Sequence, residues 1–222
     1  LKVFFDVDLQ TKNYTRDIAY ATMECCSYRY NPYDKAKFEV NAHNWIDMSD
    51  EDYGVSLLND CKYGHEVNEH KMILTLLKAP IKPDPKSDRG DHYFTYSLYP
   101  HAETWKKAKT LERGLEINHP LVPVDVKSEG EMGADKSFIT LTSDSMTLEA
   151  VKKCEEEDAY IIRMVEKKGR SVDASVKFFA PLTYAAECDL IERNDVPVPF
   201  DGDTISFHAT PFEIKNYKVK IK

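Results

Sequence analysis

Long apolar runs are missing from this 222-residue chain. None approaches the roughly 20 residues that a membrane-spanning helix requires, so a membrane is not an expected partner. Basic charge is short as well. Thirty Lys and Arg face 38 Asp and Glu, a net charge of −8 that the seven His do not reverse. An acidic chain has no general attraction for nucleic acid or anionic lipid, and neither is expected to bind. Cysteine is scarce and odd in number: Cys25, Cys26, Cys61, Cys154 and Cys188. No C-x-x-C occurs, and Cys25 and Cys26 would point to opposite faces of a strand. This argues against a disulfide framework or a zinc site, and for buried free thiols in a reducing, cytoplasmic compartment. Asn13-Tyr14-Thr15 fits the glycosylation pattern, but one match carries little weight. Internal repeats, low-complexity tracts and a signal peptide are not visible. The chain begins with Leu1 rather than Met, so a mature terminus or an excised fragment is expected.

The most informative stretch runs from Lys37 to His65. Phe38, Val40, Ala42, Ile46 and Met48 share one parity, while Glu39, Asn41, His43, Trp45 and Asp47 share the other. That period predicts a strand with one apolar and one polar face. Gly54 to Leu58 is a short apolar run that breaks at Asn59-Asp60 and resumes at Lys62-Tyr63, which predicts a tight reversal.

Before this stretch, Leu1 to Leu9 alternates as a strand. Thr11 to Asp17 reads as a turn, and Ile18 to Tyr30 carries mixed helix and strand signals. After it, Met72 to Leu77 is apolar on both parities and predicts a strand buried on both faces. Pro80, Pro83 and Pro85 shape a long loop before a strand from His92 to Tyr99. Thr104 to Arg113 is the one predicted helix, with Thr104 as its cap, a core stripe of Trp105, Ala108 and Leu111, and Gly114 at its end. Lys127 to Lys136 reads as a linker between a first region, residues 1–126, and a second, residues 137–222. The second region holds seven short strand candidates: Phe138 to Leu141, Met146 to Val151, Tyr160 to Val165, Val172 to Phe179, Tyr184 to Ile191, Thr204 to Ala209 and Phe212 to Ile221. Turn signals between them indicate an antiparallel sandwich, and a parity change predicts a bulge near Lys215-Asn216.

These blocks resemble, in order, the C-terminal half of the family 38 glycoside hydrolases, the zinc α-mannosidases, and most closely their cytosolic and lysosomal branch. The resemblance is carried by Phe38-Glu-Val40, His43-x-Trp45-x-Asp47, Gly54-Val, Leu58-Asn-Asp-x-Lys-Tyr-Gly64, Leu76-Leu-Lys-Ala-Pro80, Asp88-Arg-Gly90 and Ser97-Leu-Tyr-Pro-His101. It continues through Val151-Lys-Lys153, Arg163-x-x-Glu166, Gly169, Leu190-Ile-Glu-Arg193 and Pro211-Phe-Glu-Ile-Lys215. It implies an all-β chain: the later portion of a galactose mutarotase-like supersandwich, then a small terminal sandwich, with one short helix. The family's nucleophile and zinc ligands lie on N-terminal motifs of His-x-Asp and Trp-x-Glu-x-Asp form, and neither occurs here. The resemblance therefore implies a non-catalytic β region of a retaining α-mannosidase, with no cofactor of its own and zinc in a catalytic part absent from this chain. Its implied partners are that N-terminal part and an α-mannoside or oligosaccharide. The alternative is a stand-alone carbohydrate-binding or mutarotase-like sandwich, with His43 or His92 imitating a Glu and His pair alongside Glu39.

Candidate site residues follow from the same blocks, and none is read as a metal ligand. His43, Trp45 and Asp47 form either a sugar platform or an interdomain face, and the second is preferred because Trp is enriched at interfaces. Lys78 stands where the family commonly has Arg, and the resemblance implies a cationic side chain that can approach the sugar site, with a solvated strand end as the equal alternative. A lysine there is a point charge without the two-pronged contact of a guanidinium. Asp88 and Arg89 read as a salt-bridged loop beside it. Arg29 lies where the family often shows Arg-Pro, but Cys-Cys-Ser-Tyr-Arg-Tyr-Asn-Pro32 departs from that pattern. A sandwich cut in this way should expose strand edges, so a homo-oligomer is expected, joined through Glu39, His43, Trp45 and Asp47.

Overall fold

The computed structural model describes residues 1–127, 130, 133 and 135–222. The linker expected at Lys127 to Lys136 lies partly outside the described residues. The chain forms two compact units, Leu1–Pro123 and Val124–Lys222.

The first unit contains β1 (Lys2–Asp6), β2 (Asn13–Ile18), β3 (Ala21–Cys26), α1 (Pro32–Ala36), β4 (Val40–Asn41), β5 (Trp45–Ser49), β6 (Tyr53–Asn59), β7 (Gly64–Asn68), β8 (Lys71–Thr75), β9 (Tyr96–Ala102) and α2 (Thr110–Asn118). A four-stranded sheet runs β1-β8-β7-β4 and a five-stranded sheet β3-β2-β5-β6-β9, with antiparallel pairing throughout. Met72 and Leu74 of β8 meet Ile46, Met48, Val55 and Leu57 in the core between them. Met72, Ile73 and Leu74 are all buried, as a strand apolar on both parities requires.

Six local expectations are corrected. The stretch from Phe38 to Met48 is not one strand: β4 lies in the first sheet and β5 in the second. The reversal at Asn59-Asp60 is not a hairpin either, because β6 and β7 also belong to different sheets. The two crossovers run side by side, with Ala42 N–H donating to Tyr63 O at 3.0 Å and Asn59 N–H to Asn44 O at 3.0 Å. Parity survives the corner, since Ala42, Ile46 and Met48 all face the core, and so the sequence pattern does not reveal it. Thr11 to Asp17 is mostly strand, hairpinned to β3. The strand predicted from His92 begins only at Tyr96, because His92 Nε2 turns to Asp88 O at 3.0 Å. The predicted helix starts at Thr110, since Lys109 has φ 58°, a left-handed angle that a helix interior does not admit. A second helix, α1, adds to the one expected; Asn31 caps it by accepting from Asp34 N–H.

Helix α2 covers the other face of the five-stranded sheet, where Trp45, Leu58, Trp105 and Leu111 form a separate core. Gly114, expected to end the helix, sits inside it against the indole. A Cβ at this position would lie 2.7 Å from Trp45 Cδ1.

The second unit contains β10 (Ile139–Leu141), β11 (Met146–Lys153), β12 (Tyr160–Glu166), β13 (Val172–Phe178), β14 (Leu182–Glu187), β15 (Val196–Pro197), β16 (Thr204–Ala209) and β17 (Ile214–Ile221). Sheets β10-β13-β16 and β11-β12-β17-β14-β15 enclose Ile162, Met164, Val176, Ile205, Tyr217 and Val219. The bulge expected near Lys215-Asn216 is not there. The pairing of β17 with β12 is continuous, and the shifts fall at Leu182/Tyr184 of β14 and Leu148/Ala150 of β11. Strand β17 is buried on both faces, which explains its apolar residues on both parities. All five cysteines are free, and Cys154 and Cys188 are buried, but Cys26 and Cys61 are exposed, against the expectation of uniformly buried thiols.

Candidate functional site

One row of side chains crosses the five-stranded sheet on the face that α2 covers. Cross-strand pairing places Glu24 opposite Thr15, Thr15 opposite Asp47, Asp47 opposite Ser56 and Ser56 opposite Tyr99. Directly paired residues share a face, so the row is continuous. It runs from exposed Glu24 to fully buried Ser56.

Asp47 is 1% exposed and holds the centre. Its Oδ1 accepts from Ser49 Oγ at 2.6 Å, and its Oδ2 accepts from Ser56 Oγ at 2.6 Å and faces His101 Nε2 at 2.8 Å. Ser56 spends its one proton on Asp47, so Thr110 Oγ1 of α2, 2.8 Å away, donates to Ser56. His101 Nδ1 faces Glu103 O at 3.1 Å. Both ring nitrogens thus meet acceptors, an arrangement that the doubly protonated imidazolium satisfies. Burial pulls the His101 pKa down, but the hydrogen bond and charge of Asp47 outweigh it and hold the value above the ordinary one. Gly54 makes room for the ring: a Cβ there would lie 2.2 Å from His101 Cε1. The motif residues Gly54, Asp47 and His101 therefore belong to one structural assembly.

Where the row emerges from under Trp105, Thr15, Glu24, Asp47, Ser49 and Thr104 line a cavity of about 310 Å³. The sequence pointed to Asp47 but not to His101, Ser56, Thr110 or Glu24. Their sequence separations reach 54 residues, and on the far side of the network the sequence offered only the block Ser97-Leu-Tyr-Pro-His101, read as part of the family resemblance.

The other predicted residues lie apart from this centre. Trp45 is 1% exposed, its ring centroid 5.0 Å from that of Trp105 with the planes tilted by 42°, and it is covered by α2, so it offers neither a sugar platform nor an open face. His43 is half-buried at the sheet-switching corner, where its carbonyl accepts from Asn59 Nδ2 at 2.8 Å. Glu39 bonds Thr75 Oγ1 in the other sheet, and neither His43 nor His92 is brought to it. The row Glu39, His43, Trp45 and Asp47 is therefore not a single surface. In the proline loop, Asp88 is not salt-bridged to Arg89. Its Oδ2 accepts from Ala79 N–H at 2.6 Å and Lys78 N–H at 3.2 Å, which fixes the turn at Ala79, where φ is 51°. Lys78 and Arg89 are exposed, and neither side chain has a hydrogen-bond or ion-pair partner among the described residues.

No three His, Cys, Asp or Glu side chains gather as a metal site among the described residues. The Asp47 and His101 pair is closed by hydroxyl and carbonyl partners, so the residues present do not fit zinc. No helix among the described residues is long and apolar enough to cross a membrane.

The second unit encloses a different centre. Glu166 is fully buried at the end of β12. Its carboxylate accepts from the main-chain N–H groups of Lys168 at 2.9 Å, Gly169 at 2.8 Å, Arg170 at 3.2 Å and Phe212 at 3.1 Å. Other motif residues of this unit are also structural: Glu192 binds Lys152 Nζ at 2.6 Å and Glu155 N–H at 2.9 Å.

Comparison with known proteins now places the chain. Residues 1–86 match the model of the glycosyl hydrolases family 38 C-terminal domain, and residues 145–217 that of the family 38 C-terminal beta sandwich domain. Alpha-mannosidase 2C1 of Mus musculus is 30% identical over 221 residues, covering 97% of this chain and 21% of that protein. The Homo sapiens protein of the same name is 34% identical over 198 residues, covering 88% of this chain and 19% of its own length. The crystal structure of an alpha-mannosidase from Enterococcus faecalis V583 superimposes with a TM-score of 0.79 at 16% identity. That match covers 99% of this chain and 25% of the bacterial one, and at such identity it speaks for the fold alone. The chain thus spans about a fifth of the length of the curated relatives it matches. With both C-terminal models matched in order over an antiparallel all-β structure, the chain belongs to the C-terminal region of the family 38 glycosyl hydrolases.

Proposed function

We propose that this chain is the non-catalytic C-terminal β region of a retaining, zinc-dependent α-mannosidase that hydrolyses terminal α-mannosides. Its partner is the N-terminal catalytic part of the same polypeptide, which holds the zinc and the nucleophile, and the enzyme works in the cytoplasm. The observation that carries this reading is the ordered match to both C-terminal models of one hydrolase family, among relatives named alpha-mannosidases. The chemistry inside the chain agrees with it. Retention uses two carboxyl groups about 5 Å apart astride the glycosidic bond. Here the deeply buried carboxylates are engaged in structural bonds: Asp17 with Asn44, Asp47 with Ser49, Ser56 and His101, and Glu166 with four amides.

Lys78 edges the substrate cleft, with Asp88 shaping its loop and Arg89 beside it; its exposed ammonium, without an ion-pair partner among the described residues, supports this role. The isolated chain forms homo-oligomers through the outer edge of β9, the last strand of its sheet, where Tyr96 and Leu98 are exposed. The deciding experiment is hydrolysis of an aryl α-mannoside by the purified chain with zinc added. No turnover is expected, and activity that survives re-purification would overturn the reading. In the full-length enzyme, Lys78→Ala should raise KM without lowering the melting temperature, and unchanged kinetics would assign the residue to the surface. Light scattering that shows a monodisperse monomer at high concentration would remove the oligomer.

A further inference from the structure

We propose that the cavity beside Asp47 binds one pyranose residue of a neutral sugar. The site is built by the first unit alone, and its ligand class follows from its lining. The floor is Asp47, buried and fixed by three hydrogen bonds from side chains on β5, β6 and β9. A carboxylate offers about four acceptor positions, and three of those of Asp47 are filled, so it fixes the shape and charge of the floor. Glu24, at the rim, uses only its Oε1, which accepts from Asn13 Nδ2 at 2.8 Å, and its second oxygen is open. Thr15, Ser49 and Thr104 add hydroxyls, and Trp105 closes one side with its indole.

Each other ligand class meets an obstacle. An anion would enter beside two carboxylates with only Lys106 to oppose them. A hydrocarbon would strip water from Glu24 and three hydroxyls without replacing its hydrogen bonds. An organic cation would need the face of Trp105, where Lys106 Nζ already stands 5.4 Å from the ring centroid. A sugar meets none of these. Its hydroxyls donate to the Glu24 carboxylate and accept from Thr hydroxyls, and it does not need the face of Trp105 that Lys106 covers. A volume of about 310 Å³ is at the small end for ligand pockets, suited to a single ring rather than a chain. The inference rests on this lining and not on the assignment to a mannosidase.

The test uses the complete 222-residue chain, whose two tryptophans are Trp45 and Trp105. Methyl α-D-mannopyranoside, and the matching glucoside and galactoside, are titrated while indole fluorescence is recorded. At least one should give a saturable change with Kd on the order of 1 mM. Glu24→Ala, at an exposed position, should weaken that binding about tenfold while the melting temperature stays unchanged. A sugar 6-phosphate should bind more weakly than its neutral parent. A response that never saturates with any of the three glycosides would overturn the proposal, as would a Glu24→Ala titration indistinguishable from that of the original chain. Inactivity of the chain as a hydrolase leaves these outcomes unaffected, so failure of the enzyme reading and failure of the sugar site are told apart.

Discussion

The two units bury a carboxylate by opposite means. In the first, every bond to Asp47 comes from a side chain, and the donors arrive from three strands with a helix behind them. In the second, Glu166 accepts from four main-chain amides, three of them in the turn directly after it. A side-chain network depends on residue identity at distant positions and on correct strand register. An amide nest depends mainly on local backbone shape, and Gly169 at φ 70° supplies part of that shape. The first arrangement can leave a polar floor beside a cavity. The second closes on itself.

The comparison can be broken by substitution, because both tryptophans lie in the first unit and report on it alone. Asp47→Ala should have the largest effect, about 4 kcal/mol, since it leaves the buried His101 ring and the hydroxyls of Ser49 and Ser56 without their acceptor. The urea midpoint followed by indole fluorescence measures it, and a loss below about 1 kcal/mol would mean that the network does not hold the unit.

Next comes acid. His65 is fully buried between the sheets, its Nε2 has no hydrogen-bond partner, and burial depresses its pKa to about 4. The unfolded chain takes up this proton near pH 6.5, the folded one only near 4. Stability is therefore complete above pH 6.5 and falls as the pH drops between those values, by about 3 kcal/mol in all. His65→Leu should flatten that limb. His101 has the opposite sign. Its raised pKa adds stability at low pH that is lost as the pH climbs through the folded value, and His101→Gln should remove this alkaline limb. Both limbs should appear in the fluorescence signal, because the second unit's single histidine, His208, is exposed.

Glu166→Ala ranks third, at about 2 kcal/mol, because some of the four freed amides can turn to water. It should shift the circular-dichroism transition and leave the fluorescence transition in place. Glu166→Gln, which keeps one carbonyl oxygen for the nest, should cost less than Ala. Last is Lys107→Ala, which removes an exposed ion pair with Glu103 at 2.5 Å and should shift neither signal measurably.

How much of this was legible in the sequence depends on whether the cause was local. The terminal strands read well because alternation and turn residues are local signals: Thr204–Ala209 emerges with the ends assigned from sequence. The sheet-switching corner did not, since a chain that changes sheets while keeping Ala42, Ile46 and Met48 inward leaves no trace in the period. The helix slid because Trp105, Ala108 and Leu111 share a core spacing although a left-handed residue, Lys109, interrupts the backbone between them. For the site, Asp47 stood out as a motif residue, but a donor 54 positions away had no local mark. Asp88 was assigned to the wrong partner because a neighbouring Arg suggests a salt bridge, whereas the amides of the Ala79 turn take the carboxylate.

Gly114 bears on how this sequence can change over time. A glycine inside a helix costs about 1 kcal/mol against alanine, so drift should favour its replacement. Trp45 Cδ1 forbids that, at 2.7 Å from where the new carbon would sit. Position 114 can therefore enlarge only in a background where position 45 has already shrunk. Once it has enlarged, the indole cannot return without a clash. The two sites form a one-way gate, and the order in which substitutions arrive decides which sequences a lineage can reach. Gly114→Ala alone should be harmful, and the same change after Trp45→Leu should be neutral or helpful, a sign reversal that a double-mutant cycle would measure.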